Sequence, residues 1–471
     1  MLQKKTMKAI RNLGAACAIV GVLQPITVSA HDDDHSHAPT VPAADLAKVY
    51  APSLLPDRVI LTWTGDPATT QAVTWRTSTE VRKAFAEIAV AEAGPGFVTK
   101  AKPVNATSQA LLTDLNTAHF HTVEFTELTP STKYVYRVGD GVNFSEWFHF
   151  TTASAEAEPF SFVYFGDAQN NLRSMWSRVI REAYGDAPDT SFLLHAGDLV
   201  NRAEADAEWG EWCGAGHWVN AMIPSVPVPG NHEQAKHEDG PRTLSHHWRP
   251  QFALPLNGPR GLEESCYTLV YQGTRIVGMN SNHQQEDQAV WLDKVLTDNK
   301  CKWVIVTFHH PMYSTGKDRD NSELRALWKP VLDKHRVDLV LQGHDHTYGR
   351  TGLETPLEVP AETIANVATG LNKRDQKTGT VYVVSVSGPK MYSMQRHSFM
   401  RRQAEDTQLY QIITIDGDKL TFEARTAVGK LYDAFTLAKR PGQINLLTEG
   451  TPEVPENRRV PDPENAADGE S

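Results

Sequence analysis

The chain has 471 residues, 40% of them hydrophobic and 22% charged, with four cysteines and a net charge of −11. That is long enough for two or three domains with sizeable cores, and too ordinary in composition for a collagen, a disulfide scaffold or a disordered chain. The acidic balance argues against a scaffold that binds nucleic acid by covering its phosphates with Lys and Arg, but a phosphate substrate held by metal ions stays open.

Lys4, Lys5, Lys8 and Arg11 precede an apolar run from Leu13 to Leu23, and Val28-Ser29-Ala30 ends just before the polar His31-Asp32-Asp33-Asp34. Basic, apolar and small-residue segments in that order read as a secretory signal peptide over residues 1–30, cut after Ala30. The apolar run is shorter than the ~20 residues that span a bilayer, so no membrane span is expected and the mature chain reads as secreted or periplasmic. Residues 31–52, rich in His and Asp at their start, read as a flexible lead-in. Cys213, Cys266 and Cys301 then remain. Three thiols allow at most one internal disulfide, their pairing is open, and without a Cys-x-x-Cys a thiolate zinc site is not expected.

Residues 53–153 show short runs with β-branched or aromatic residues at every second position: 58–63, 71–76, 119–125, 133–138 and 146–151. Turn residues such as Gly65-Asp66-Pro67 and Gly139-Asp140-Gly141 separate some of them, and the pattern predicts a β-sandwich. Residues 158–438 alternate strand, loop and helix. Buried strands are expected at 160–165, 191–196, 275–279, 303–308, 337–341 and 381–386, and a hairpin at 408–424 on the Asp416-Gly417 turn. Helical spacing joins Leu172, Met175, Trp176, Val179, Ile180 and Ala183, and further helices are expected at 288–297 and 321–335. The fold class is therefore α/β, a β-sandwich followed by an α/β domain. Residues 440–471, rich in Pro, Glu, Asn and Asp, read as a disordered acidic tail.

The chemistry sits in the residues just beyond the expected strands. Phe165 leads into Gly166-Asp167-Ala168-Gln169, Ala196 into Gly197-Asp198-Leu199-Val200-Asn201, and Pro229 into Gly230-Asn231-His232-Glu233. Phe308 leads into His309-His310-Pro311, and Gln342 into Gly343-His344-Asp345-His346. Loops at the carboxyl ends of strands in an α/β sheet converge on the ligand site. Hard carboxylate oxygens with neutral imidazoles suit Zn, Mn or Fe, and the glycines let the backbone turn sharply beside such ions.

That ordered set is identified as belonging to the calcineurin-like metallophosphoesterase superfamily. The phrase Leu128–Arg137 is similar to the late-strand signature of fibronectin type III-like modules, and with this sandwich the chain resembles the purple acid phosphatase branch from about Pro56 to Ala424. The resemblance implies an α/β/β/α sandwich for the catalytic domain and two divalent metal ions per chain, Fe, Zn or Mn. Asp198 would bridge the ions, Asp167 and His346 would complete one site, and Asn231, His309 and His344 the other. It further implies hydrolysis of a small phosphate monoester by hydroxide held between the ions. His232 is the candidate to stabilise the phosphate oxygens and protonate the leaving alkoxide, and with Asp198 it forms the catalytic pair.

Two positions depart from the pattern. The tyrosine of the purple enzymes three residues after the bridging Asp is Asn201, so no visible charge-transfer colour is expected. The superfamily's frequent His two residues after the first Asp is Gln169, and an amide oxygen of Gln169 or Asn201 is the candidate for the vacant ligand position. His232, His310, Tyr313, Tyr348 and Arg350 flank the motifs as candidate substrate contacts. Two rival readings stay open: a phosphodiesterase on the same centre, with preference set by the insertions at 204–217, 235–249 and 351–380, and a secreted binding protein on a degenerate scaffold. The oligomeric state is not legible.

Overall fold

The computed structural model describes residues 44–353 and 379–459. The expected signal peptide, most of the 31–52 lead-in and the end of the acidic tail lie outside these residues.

Two antiparallel four-stranded sheets form the N-terminal β-rich domain. One runs in the order Asp57–Thr62, Gln71–Ser78, Thr117–Phe125, Thr107–Leu112, the other Lys102–Asn105, Phe85–Val90, Lys133–Gly139, Phe148–Thr151. Alternating apolar positions bury Leu61, Val73, Trp75, Val123, Phe125, Tyr136, Phe148 and Phe150 in one cluster. Phe85–Val90, Lys102–Asn105 and Thr107–Leu112 were not among the expected strands. The last two are sheet edges with almost no buried residue, so burial left little mark on their sequence.

The second domain is built on two seven-stranded sheets. In the first, Phe160–Phe165, Leu193–His195 and Ser225–Pro227 run parallel, and Phe160–Phe165 also pairs antiparallel with Leu409–Asp416. In the second, Thr274–Gly278, Trp303–Thr307, Leu339–Gln342 and Val381–Val384 run parallel. Period-two alternation divides the second sheet's residues between two cores. Ile276, Ile305, Leu341 and Val383 join Phe162, Leu194 and Val226 of the first sheet. Val277, Val306, Val340 and Tyr382 instead pack with Leu292, Leu296, Trp328 and Leu332 of helices Gln285–Thr297 and Ser322–Lys334. Helices Ser177–Asp186 and Asp206–Gly216 lie on the first sheet, where Trp176 meets Phe165 at 5.8 Å and Trp212 at 6.0 Å between ring centres. The layers are helix, sheet, sheet, helix. The expected helix from Leu172 begins as a π-helical turn, Leu172–Trp176.

A buried charge cluster joins the domains. Asp206 accepts from Arg58 Nη1 at 2.7 Å and Nη2 at 2.9 Å and from Arg76 Nη1 at 3.3 Å, while Arg76 also holds Asp57 at 2.6 Å. Burial works against the Asp206 carboxylate, but His247, Arg58 and Arg76 hold it well below the usual range.

One expectation needs correction. Residues 440–459 are not a disordered tail: Leu446–Glu449 adds an antiparallel strand to Leu431–Ala438, and Glu449 and Arg459 reach Arg350 and Asp406 at 2.6 and 2.7 Å. The polar composition there reflects ion pairs and strand pairing. Cys213, Cys266 and Cys301 are all free, so no disulfide forms among them. Among the described residues, no helix is long and apolar enough to cross a membrane.

Candidate metal centre

The five Gly- or His-led loops leave the carboxyl ends of parallel strands: Phe160–Phe165, Leu193–His195, Ser225–Pro227, Trp303–Thr307 and Leu339–Gln342. Three donors sit on strained backbone. Asp198, His344 and His346 have φ of 52°, 77° and 49°, a region that costs a side-chain-bearing residue roughly 1–3 kcal/mol. Glycine is needed close by. A Cβ at Gly343 would lie 2.5 Å from Asp167 Oδ2, and one at Gly230 would strike Asp198 Oδ1.

The side chains gather into two groups sharing one carboxylate. Asp198, His309 and His344 present donor atoms all within 4.8 Å of one another, and so do Asp167, Asp198 and His346. His309 Nε2 is 3.1 Å from each of Asp198 Oδ2, Asn231 Oδ1 and His344 Nδ1. His346 Nε2 is 3.9 Å from Asp167 Oδ1. Backbone carbonyls fix the tautomers. His309 Nδ1 donates to Ala196 O at 2.9 Å and His346 Nδ1 to Lys390 O at 2.9 Å, so Nε2 is the nitrogen each ring turns to the cluster. A third such group, Glu204, His246 and His247, shares none of these residues.

The electrostatics call for cations. Asp167, Asp198 and Glu233 are all buried, and no Lys or Arg among the described residues forms an ion pair with them. Burial raises the Asp167 carboxyl well above its ordinary range; the His309 charge opposes this and the Asp198 charge adds to it. Burial, then the Asp198 charge, pushes Glu233 up to about 7. Burial also disfavours the Asp198 carboxylate, but the adjacent His309 holds it well below the usual range. His309 in turn resists burial through Asp198 and Asp167 and stands at about 9. Asp167 Oδ1 is buried with no hydrogen-bond partner, a cost that a bound cation would remove. Two carboxylates, three imidazoles and an amide oxygen fit divalent ions of the Zn, Mn or Fe type.

Gln169 is fully buried beside both groups. Its Nε2 donates to Asp198 Oδ2 at 3.2 Å and lies 2.8 Å from His346 Nε2, while its Oε1 has no partner. Turning the amide over preserves its shape and would present Oε1 where Nε2 now sits. Asn201 differs: its side chain makes no hydrogen bond to a described residue, and its carbonyl accepts from His232 Nδ1 at 2.5 Å. That bond leaves His232 Nε2 available on a half-buried ring, and the His232 N–H donates to Asp198 Oδ1 at 2.9 Å. His310 comes after the strand end rather than lying in it. Its Nδ1 meets Ser281 Oγ at 2.8 Å and its ring lies 4.4 Å from His344.

Three candidate substrate contacts are corrected. Tyr313 is a core residue, 5.0 Å from Tyr382 and 5.4 Å from Phe399 between ring centres. Tyr348 and Arg350 share one face of strand Tyr348–Thr351, fully buried against the first sheet. Tyr348 Oη donates to Asp433 at 2.7 Å, and Arg350 holds Asp433 at 2.6 Å and Glu449 at 2.6 Å. None of the three is free to meet a substrate.

Sequence reasoning misses Glu233. Its Oε2 accepts the N–H of Asp198 at 2.8 Å and of Gly230 at 2.7 Å, and its Oε1 those of Leu199 at 2.8 Å and Val200 at 3.1 Å. One carboxylate thus clamps the loop of the shared donor to the loop carrying Asn231. Its place two residues after Asn231 in an otherwise polar loop was the available signal.

Residues 56–152 match the family described as purple acid phosphatase, N-terminal domain, and residues 160–348 that described as calcineurin-like phosphoesterase. An uncharacterized Mycobacterium tuberculosis protein is 26% identical over 370 residues, covering 68% of this chain and 67% of its own length. Acid phosphatase type 7 of Danio rerio is 29% identical over 268 residues, covering 49% of this chain and 57% of that protein. Purple acid phosphatase 21 of Arabidopsis thaliana is 27% identical, covering 50% and 54%. The chain thus spans little more than half of these two named phosphatases. In fold it is similar to purple acid phosphatase PPD1 from yellow lupin seeds, with a TM-score of 0.66 at 19% identity over 82% of this chain and 75% of that one. The chain thus joins a purple acid phosphatase N-terminal domain to a calcineurin-like phosphoesterase domain and is similar to purple acid phosphatases in sequence and in fold.

Proposed function

We propose that the protein is a secreted or periplasmic hydrolase of small phosphate monoesters that works with two divalent ions. The observation that carries this reading is the shared Asp198, whose carboxylate belongs to both three-residue donor groups. His309, His344 and Asn231 would hold one ion, and Asp167, His346 and the Gln169 amide oxygen the other. When bound, such a pair supplies Lewis acidity toward the phosphoryl oxygens and lowers the pKa of water.

The chain's own groups do the rest. Glu233 and the tautomer-fixing carbonyls of Ala196 and Lys390 keep the donors in place before substrate arrives. His232, anchored through Nδ1 to Asn201, would offer Nε2 to a phosphate oxygen and pass a proton to the leaving alkoxide. The leader sequence over residues 1–30 supports export. The working units of this reading are the domain at 53–153 and the one that starts at 158, whose first sheet extends past 438 to take in Leu446–Glu449.

The test compares hydrolysis of a phosphomonoester with that of the matching diester by residues 31–471. Faster monoester turnover is expected, and a preference for the diester would overturn it. His232→Ala should slow hydrolysis of an alkyl phosphate by ~10²–10⁴-fold and of nitrophenyl phosphate far less, since only the poor leaving group needs the proton. Equal losses on both would remove the acid role.

A further inference from the structure

Beside His346 the chain builds a second cationic feature that the hydrolytic centre does not use. The Tyr392 ring packs 4.6 Å from the His346 ring, centre to centre. The Arg319 guanidinium carbon lies 5.2 Å from the centre of Tyr392 and the Lys390 ammonium 5.3 Å. Two cations from separate segments therefore converge on one aromatic ring that packs, tilted by 44°, against the candidate donor His346.

The segments are tied together. Lys317 N donates to Ser393 O at 2.9 Å and Gln395 N to Thr315 O at 2.8 Å, with a β-bridge between Gly316 and Met394. Asp345, between His344 and His346, accepts from Ser314 Oγ at 2.5 Å, Thr315 N at 2.8 Å and Gly316 N at 3.1 Å, and pairs with Arg319 Nε at 3.0 Å. The same carboxylate that sits in the donor loop thus sets the position of Arg319.

The donors on these cations are unspent. Arg319 uses only Nε on Asp345, and its Nη1 and Nη2 make no hydrogen bond to a described residue. Lys390 forms no ion pair with a described residue, and both side chains are partly exposed. In a chain of net charge −11, these two cations make a local patch of positive charge beside the donor loop.

We infer that Arg319, Lys390 and Tyr392 form an anion subsite, one aromatic ring away from His346, that selects phosphate esters whose leaving group bears a second anionic group, phosphate or carboxylate. The inference rests on the phosphatase reading and narrows its substrate class. Arg319 supplies a two-pronged contact and Lys390 a point charge, while Tyr392 gives the connecting part of the substrate a flat face.

The test uses residues 31–471 loaded with Mn²⁺ and three esters: phenyl phosphate, 4-carboxyphenyl phosphate and 1,4-phenylene bisphosphate. The specificity constant should be roughly ten-fold or more higher for at least one doubly anionic ester, with the gain in KM, and the faster of the two names the anion. In Lys390→Met and Arg319→Gln the ratio to phenyl phosphate should fall toward one. A wild-type ratio near one, or a ratio unmoved in both variants, would overturn the subsite. Binding is followed separately by calorimetry with pyrophosphate and inorganic phosphate. A preference for pyrophosphate that Lys390→Met removes supports the subsite, and equal affinity in wild type refutes it. If no ester is turned over, the phosphatase reading fails on its own and calorimetry still decides the subsite.

Discussion

Replacing Glu233 by Gln tests whether the centre is held together from behind by one buried carboxylate. The side chain keeps its shape, but one oxygen becomes an NH2 group. Glu233 Oε2 now accepts from Asp198 N at 2.8 Å and Gly230 N at 2.7 Å, and Oε1 from Leu199 N and Val200 N. Whichever way the amide turns, two buried N–H groups face a donor. Leaving a buried donor unsatisfied costs about 1–3 kcal/mol each, so about 2–6 kcal/mol is at stake. Removing a buried negative charge that faces Asp198 returns part of this, and about 2–4 kcal/mol of local stability should be lost. Hydrogen exchange read on peptides covering residues 198–200 and 229–231 reports that loss directly. Opening-limited amides there should exchange roughly 30- to 1,000-fold faster in the variant, with strands such as Trp303–Thr307 unchanged. Unaltered protection in a folded Glu233→Gln protein would refute the clamp.

Asp206→Ala leaves Arg58 only the backbone carbonyl of residue 206 and Arg76 only Asp57 and the Tyr50 carbonyl, which should cost about 3–5 kcal/mol and lower Tm by roughly 3–6 °C; an unchanged Tm would show that the carboxylate adds nothing. His121 is fully buried between Thr77 Oγ1 and Ser108 Oγ, each at 2.7 Å, and burial, aided by the His119 charge, pulls it down to about 4. The unfolded chain takes up that proton near pH 6.5, so the contribution to stability is complete above ~6.5 and is lost as pH falls toward 4, by up to about 3 kcal/mol. Thermal midpoints from pH 7.5 to 4.5 should therefore fall less steeply in His121→Gln than in wild type, and parallel curves would contradict this. Gln169→Leu removes the unpartnered Oε1 next to Asp198 and His346 and should weaken ion binding about ten-fold or more in competition with a chromophoric chelator. Unchanged affinity would remove Gln169 from the donor set.

Most strands that carry the donors were legible because each is a short, largely buried run that ends at a polar residue, with Gly before it at Phe165-Gly166-Asp167 and Gln342-Gly343-His344, whereas the three-residue strand Ser225–Pro227 was too short to stand out. The loops then meet for a topological reason, since parallel strands put their carboxyl ends on one edge. What stayed hidden depends on partners far away in sequence. Arg350 beside the donor loop looked like a phosphate contact, yet its partner Asp433 lies 83 residues on, in a strand of the opposite sheet. Leu446–Glu449 looked like tail because its order comes from pairing with Leu431–Ala438, and that pairing leaves no period in so polar a segment. Glu233 was in view within Gly230-Asn231-His232-Glu233, but four backbone donors converging on one carboxylate cannot be read from side-chain types.

The proposed function stands on Asp198 joining two ion sites into one hydrolytic centre. Its most direct test is a Mn²⁺ titration of the chelator-stripped chain, with bound metal and phosphomonoester turnover measured on the same samples. Turnover should rise with binding and level off at two ions per chain, and Asp198→Ala should lose both the stoichiometry and the activity. Turnover that survives stripping, or that persists in Asp198→Ala, would contradict it.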